Sequence, residues 1–312
     1  ENEVRSCIAC HNACLPVGYY KNSGSVMDLK DAATQGHCAL NPVAFEEKKY
    51  ALKQAETPKK IAVIGGGIAG MQVALLLSQR GHTVDLYEKT DKLGGVFIAA
   101  AAPSFKEKDK ELLSWYRLQM ERSSVNVHMN TEVKSLEDIP ADEYIIATGA
   151  AARKLPVPGF DKGIEAIEYL NGVKEVGQTV AVIGGGLTGC EIAYDLCLKG
   201  KKPVVVEMTD DLVKATGICA ANSTCLRDLL RYHKADIRLE STLKEIRDGS
   251  IVISTKSGEQ EIACDSVILS VGYKPVQDLM KKEKNVHILG DASAVGNLKK
   301  AIWAAYDLGV AL

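Results

Sequence analysis

Two parallel-sheet α/β units in one chain are what this sequence predicts, and three observations predict them. Residues 61–88 (IAVIGGGIAGMQVALLLSQRGHTVDLYE) align without a gap on residues 180–207 (VAVIGGGLTGCEIAYDLCLKGKKPVVVE). Each copy reads as a β-branched run, a glycine-rich turn, an apolar stretch at helical spacing closed by Gly81 or Gly200, and a second β-branched run. Each places Gly-x-Gly-x-x-Gly between strand and helix, with a carboxylate 18 residues after the last glycine. A lone glycine pattern is weak, but a pattern found twice between a strand and a helix marks the βαβ unit of a dinucleotide-binding domain. The fold class is therefore α/β, with two Rossmann-like dinucleotide-binding domains.

Composition sets the outer limits. At 312 residues, 46% apolar and 25% charged, the chain is long enough for two cores. A formal charge of −2 and the absence of a basic tract interleaved with aromatics argue against nucleic acid. Apolar runs such as residues 61–64 and 73–77 are far too short to span a bilayer, so no membrane role is expected. The opening Glu-Asn-Glu-Val-Arg-Ser-Cys reads as the middle of a longer polypeptide without a secretory leader, and the expected compartment is a reducing cytoplasm.

The first element is a cysteine segment. Four of the nine cysteines fall in the first 38 residues as Cys7-x2-Cys10-x3-Cys14 with a remote Cys38. Four thiolates are what a [4Fe–4S] cluster requires. Zinc also suits four thiolates, but structural zinc takes two CxxC-like pairs and no second pair surrounds Cys38, so the cluster is preferred. His11 and His37 are read as solvent-facing or hydrogen-bonding neighbours of the ligands. The remaining Cys190, Cys197, Cys219, Cys225 and Cys264 are read as ordinary buried thiols. Residues 46–57 (EEKKYALKQAET) read as a charged connecting helix or linker.

The two glycine turns come next. Gly65 and Gly184 permit the tight turn, Gly67 and Gly186 let the backbone approach a pyrophosphate, and Gly70 and Gly189 let helix and strand pack closely. Glu88 and Glu207 close their second strands, where each would accept hydrogen bonds from a ribose diol. A nicotinamide delivers two electrons as hydride, whereas an iron–sulfur cluster accepts them singly, so a chain with sites for both needs a flavin between them.

The later motifs decide which turn holds which nucleotide. Leu93-Gly94-Gly95, Asn130-Thr131-Glu132-Val133, the run from Tyr144 to Thr148-Gly149, Ile288-Leu289-Gly290-Asp291 and a helix over 298–308 together resemble the FAD domain of the two-dinucleotide-domain flavoprotein reductases, the glutathione-reductase-like fold. The resemblance implies an FAD domain interrupted by a nicotinamide domain, with FAD at the first turn. Asp291 then holds the ribityl chain, Gly95, Val133, Thr148, Gly149 and Gly272 are further cofactor-binding positions, and Glu191 lies near the nicotinamide unless it is only a first-turn acid of its helix. The implied domains are 1–57 (cluster segment and linker), 58–155 (FAD, first part), 156–280 (nicotinamide) and 281–312 (FAD, second part). Glu207 is followed by Met208, Thr209, Asp210 and Asp211, and these carboxylates would repel the 2′-phosphate of NADPH, so NADH is expected, with Lys201 and Lys202 the basic residues one strand away.

The string from Arg5 through Cys14, followed by Cys38-Ala-Leu-Asn-Pro42 and then the two glycine turns, resembles the C-terminal part of the 2,4-dienoyl-CoA reductase, 2-enoate reductase and trimethylamine dehydrogenase family. That family implies hydride transfer from NADH to FAD, single electrons to the cluster, and a partner FMN-binding TIM barrel of Old Yellow Enzyme type that this chain lacks. One departure is the 23 residues between Cys14 and Cys38, where the family pattern has about a dozen; a local insertion across residues 19–30 accounts for it. No cysteine occurs in residues 94–102 and no CxxC in the second domain, so a disulfide reductase is not expected. No side chain is assigned as a catalytic acid or base, since hydride transfer depends on orientation. Two alternatives stand beside this reading: a non-catalytic ADP-binding scaffold, as in trimethylamine dehydrogenase-like proteins, and a zinc-stabilised interaction module.

Overall fold

Alternation within the short strands decides the architecture. In β1 (Lys60–Ile64), Ile61 and Val63 face one cluster of buried side chains while Ala62 and Ile64 face another, so the strand is covered on both sides. The computed structural model describes residues 4–14, 36–214, 218–281 and 283–312. The expected insertion over residues 19–30 lies outside them.

The chain continues through α1 (Ile68–Gln79), β2 (Thr83–Tyr87), α2 (Phe97–Ala100), α3 (Glu107–Arg122), β3 (Asn126–His128), β4 (Glu143–Ile146) and β5 (Ala150–Ala152). It then builds β6 (Ile164–Glu165), α4 (Ala166–Leu170), β7 (Thr179–Ile183), α5 (Leu187–Leu198), β8 (Lys202–Val206), α6 (Ala220–Tyr232) and β9 (Asp236–Arg238). After β10 (Thr242–Arg247), β11 (Ser250–Thr255), β12 (Gly258–Ala263), β13 (Ser266–Leu269) and β14 (Tyr273–Pro275) come β15 (Val286–Ile288) and α7 (Leu298–Ala311).

Two five-stranded parallel sheets result, in the orders β15-β4-β1-β2-β3 and β6-β13-β7-β8-β9. Both place the strand before the glycine turn at the centre, where strand order reverses and open α/β sheets bind ligands. The last strand of the first sheet, β15, comes from beyond the second sheet, so the second unit is inserted in the first. The crossing is a two-stranded antiparallel link, β5 against β14. Val180 and Val182 face one core and Ala181 and Ile183 another, repeating the pattern of β1. The second unit adds an antiparallel meander, β10-β11-β12, over its sheet.

One expectation narrows and one changes. Residues 46–57 form turns and extended chain with no helix, because Tyr50 is drawn into the core against Tyr306 and bonds Asp307. Of the five later cysteines, Cys190, Cys219 and Cys264 are buried, whereas Cys197 is half-buried and Cys225 is exposed on α6. No helix among the described residues is long and apolar enough to cross a membrane.

Candidate functional site

The two glycine turns are near copies in space. Gly65 follows β1 at φ +113°, where a Cβ would sit 2.2 Å from the Ala147 carbonyl oxygen; Gly184 follows β7 at φ +105°, with a Cβ 2.3 Å from the Ser270 oxygen. A Cβ on Gly70 or Gly189 would lie 1.9 Å from the oxygen of Gly65 or Gly184. The middle glycines differ: nothing lies within 4 Å of a Cβ on Gly67 or Gly186. Those two residues cap α1 and α5 without a side-chain hydrogen bond, and neither helix has an acid in its first turn. The first-turn N–H groups and the positive end of each helix dipole therefore face open space bounded by glycine, a cradle that fits a pyrophosphate.

A carboxylate secures each cradle. Glu88, buried at the end of β2, accepts from Gly66 N (2.8 Å), Thr90 N (2.9 Å) and Thr90 Oγ1 (2.8 Å). Glu207 repeats this with Gly185 N (2.6 Å), Thr209 N (2.8 Å) and Thr209 Oγ1 (2.9 Å). Thr90 and Thr209 were not singled out in the sequence, yet the signal is there: the gapless match runs on through Glu-x-Thr-Asp-x-Leu to Leu93 and Leu212. Each carboxylate oxygen has two lone pairs, so room to accept from a ribose remains.

Several expected residues converge on the first cradle. A Cβ on Gly95 would lie 3.2 Å from the Gly67 Cα, and Gly67 bridges to Gly94. Gly290, at φ +63°, abuts Ala69 in the first turn of α1, which brings Asp291 there. One oxygen of Asp291 accepts from Gly296 N (2.9 Å), and burial pushes its carboxyl above the usual range against that bond. Thr148 N lies 3.2 Å from the Cβ position of Gly65, and Thr148 Oγ1 donates to Val276 O (2.9 Å). Gly149 and Gly272, at φ +75° and +87°, flank the β5–β14 link. Val133 is half-buried and packs under the sheet beside Ala62 and Ile64 rather than at the glycine turn.

Glu191 is not a first-turn acid, since it lies in the second turn of α5, and it reaches across to the other unit. Lys106 Nζ pairs with its Oε1 at 2.7 Å, with Asp109 at 3.7 Å from the same ammonium. Burial pushes the Glu191 carboxyl up and outweighs the pull of Lys106. Phe105 and Tyr194 pack beside the pair with ring centroids 4.9 Å apart. Lys106 was missed because it belongs to a charge-rich stretch that reads as a solvated face.

The basic residues near Glu207 are otherwise engaged. Lys201 donates to the Val176 and Gly177 carbonyls, and Lys202 starts β8 at the end away from Glu207. Lys214 pairs with Asp210 at 2.6 Å. Arg227 is fully buried behind the loop, donating to Leu212 O and Val213 O.

All nine cysteines are free thiols. Burial pushes the Cys10 thiol up, with smaller contributions from Cys38, Cys14 and Cys7, so those three thiols lie within electrostatic reach of Cys10. Ala9 N donates to Cys7 Sγ (3.3 Å), and Ala9 and His11 both adopt φ +54° on either side of Cys10. Among the described residues no three His, Cys, Asp or Glu side chains converge closely enough to hold a single metal ion. A four-iron cluster is larger and spaces its ligands more widely, and four thiols, two exposed and two half-buried, fit such a group by donor type.

The segment touches both units. Cys38 O accepts from Trp303 Nε1 (3.0 Å) on α7, while Cys10 O accepts from Asn222 Nδ2 (3.2 Å) and Asn12 Oδ1 from Cys219 N (3.3 Å) at α6. His11 Nδ1 lies 3.4 Å from Asn222 Oδ1, a hydrogen-bonding neighbour as expected; His37 is buried between Phe45 and Trp303.

Residues 39–139 and 134–305 match the family described as pyridine nucleotide-disulphide oxidoreductase. Cinnamate reductase of Clostridium sporogenes is 36% identical over 98% of this chain and 45% of its own length. NADH oxidase of Thermoanaerobacter brockii is 32% identical over 99% of this chain and 48% of its own. Among solved structures, a 2-naphthoyl-CoA reductase in complex with 2-naphthoyl-CoA superposes with a TM-score of 0.87 at 26% identity, over all of this chain and 47% of that one. The chain thus spans just under half the length of each. These likenesses agree with the resemblance to the 2-enoate reductase group drawn from the cysteine and glycine motifs.

Proposed function

Because the chain belongs to the pyridine nucleotide-disulphide oxidoreductase family, we propose that it is the electron-transfer module of an NADH:flavin oxidoreductase of the 2-enoate reductase kind. In this reading FAD occupies the first cradle, NADH the second, and a [4Fe–4S] cluster is held by Cys7, Cys10, Cys14 and Cys38. The observation that carries it is the pair of open glycine cradles, each secured by its own carboxylate and linked across the units by Lys106 and Glu191. When bound, FAD supplies acceptance of hydride from NADH and release of single electrons, which an iron–sulfur cluster takes one at a time.

The chain's own residues bind and orient. Gly67 and Gly186 leave room for the two pyrophosphates, and the first-turn N–H groups of α1 and α5 donate to them. Glu88 and Glu207, fixed by the turns they secure, accept from ribose hydroxyls. Asp291 uses one oxygen on Gly296 and offers the other to the ribityl chain. Lys106 holds α5, and with it the nicotinamide-binding unit, against the flavin-binding unit. Glu207 faces a 2′-phosphate while Lys201, Lys202 and Lys214 are turned elsewhere, which favours NADH over NADPH.

Relatives of about twice this length point to an additional domain, and an FMN-binding TIM barrel that accepts electrons from the cluster fills that place. Nine cysteines without a disulfide suit a reducing cytoplasm. The test is anaerobic purification with visible spectra before and after nucleotide addition. Bleaching of flavin bands by NADH, and far less by NADPH, is the expected result. A colourless protein with bound ADP would establish a scaffold instead, and stoichiometric zinc without iron or sulfide an interaction module.

A further inference from the structure

We propose that Arg5 is the built-in counter-cation of the four-cysteine cluster and raises its reduction potential. This rests on the reading that Cys7, Cys10, Cys14 and Cys38 hold a [4Fe–4S] centre. The Arg5 side chain is packed into the flavin-binding unit, where Nη1 donates to Gln72 Oε1 (2.9 Å), Nη2 reaches Tyr306 Oη (3.5 Å), and the guanidinium lies over the Trp115 ring at 5.2 Å. Every one of these partners is neutral. Among the described residues no carboxylate lies within salt-bridge distance of Arg5. Asp307, which follows Tyr306, is taken by Tyr50 Oη (2.8 Å) and Lys49 Nζ (3.2 Å). Gln72 Oε1 also accepts from Tyr116 Oη (2.9 Å), so its oxygen is fixed as an acceptor and the niche is shaped for one cation rather than for an ion pair.

A guanidinium withdrawn from water beside neutral groups alone is costly, and a negative charge nearby offsets that cost. The cysteine segment supplies one. Only Ser6 separates Arg5 from Cys7, so their backbones lie within roughly 7 Å. Tyr306, which Arg5 touches, sits one helical turn from Trp303, which holds the Cys38 carbonyl. A cubane with four thiolate ligands is dianionic when oxidised and gains one further negative charge when it takes an electron. A fixed cation beside it stabilises the reduced form more than the oxidised one, which moves the potential upward. The same attraction holds the segment on the flavin-binding unit.

The experiment compares wild type, Arg5→Gln, Arg5→Lys and Gln72→Glu, each reconstituted anaerobically, analysed for iron and sulfide, and titrated with dithionite while the cluster is followed by electron paramagnetic resonance. Arg5→Gln removes the cation, and Gln72→Glu neutralises it in place by setting a carboxylate against it. Both are expected to make one-electron reduction of the cluster about tenfold less favourable, about 59 mV. Arg5→Lys keeps the charge and is expected to stay near wild type, and the flavin potential, read from its visible bands, to stay constant throughout. If Arg5→Gln does not retain a cluster, Gln72→Glu decides alone. An unmoved cluster potential in Gln72→Glu overturns the proposal, whereas wild-type protein without iron and sulfide overturns the cluster reading beneath it.

Discussion

Within each glycine turn, three residues of one type answer to different physical demands, and substitution separates them. Alanine at Gly70 would drive its methyl to 1.9 Å from the Gly65 oxygen, so Gly70→Ala is expected to cost about 2–3 kcal/mol and to lower the unfolding temperature together with flavin content. At Gly67 the methyl meets nothing, and the residue already has extended backbone geometry, so Gly67→Ala should change stability by less than about 1 kcal/mol. It should nevertheless lose FAD, because the methyl occupies the space proposed for the pyrophosphate. Gly186→Ala makes the matched prediction in the second unit: flavin content unchanged, bleaching by NADH lost. Equal effects at Gly67 and Gly70, by thermal unfolding and cofactor content, would show that the turn is merely structural.

Among the elements, α7 closes the first unit. Gly309 allows it to press on Leu76 of α1, and Asn297 caps it by accepting from Lys300 N (3.1 Å). Asn297→Ala is expected to remove about 1 kcal/mol of stability, measurable by urea unfolding. The helix was legible from its apolar spacing, though it runs on to Ala311. Residues 46–57 were less legible, because their charged pattern suits helix and linker equally. Burial of Tyr50 against α7 settled the matter, and that contact spans 257 residues of sequence to Asp307.

Over the whole molecule, the two units meet through the β5–β14 link, the Lys106–Glu191 pair and the cysteine segment. Burial raises the Glu191 carboxyl in the folded state, so folding favours its protonated form. Its contribution to stability is complete below the ordinary carboxylate pKa and is lost as pH rises through the raised value. Glu191→Gln is neutral at every pH and should abolish that slope. Urea unfolding of both proteins from acid to neutral pH checks it, and a constant difference between them would rule it out. At the other contact, Asn222→Ala removes the bond to Cys10 O, worth about 1 kcal/mol, and hydrogen exchange in residues 5–14 should quicken while flavin content holds.

The glycine turns, their carboxylates and their strand–helix order were readable from the sequence alone, since each is a local steric or hydrogen-bonding demand met within one βαβ unit and stated twice. The spacing of the four cysteines is what suggested them as a set. Only the tertiary structure decided what those pieces meet: that Glu191 answers Lys106, that Arg5 settles among neutral side chains of α1, α3 and α7, and that the cysteine loop rests on both units. Those contacts depend on surfaces brought together by packing, where a lysine in a charged stretch or an arginine before a cysteine carries no local mark of its partner.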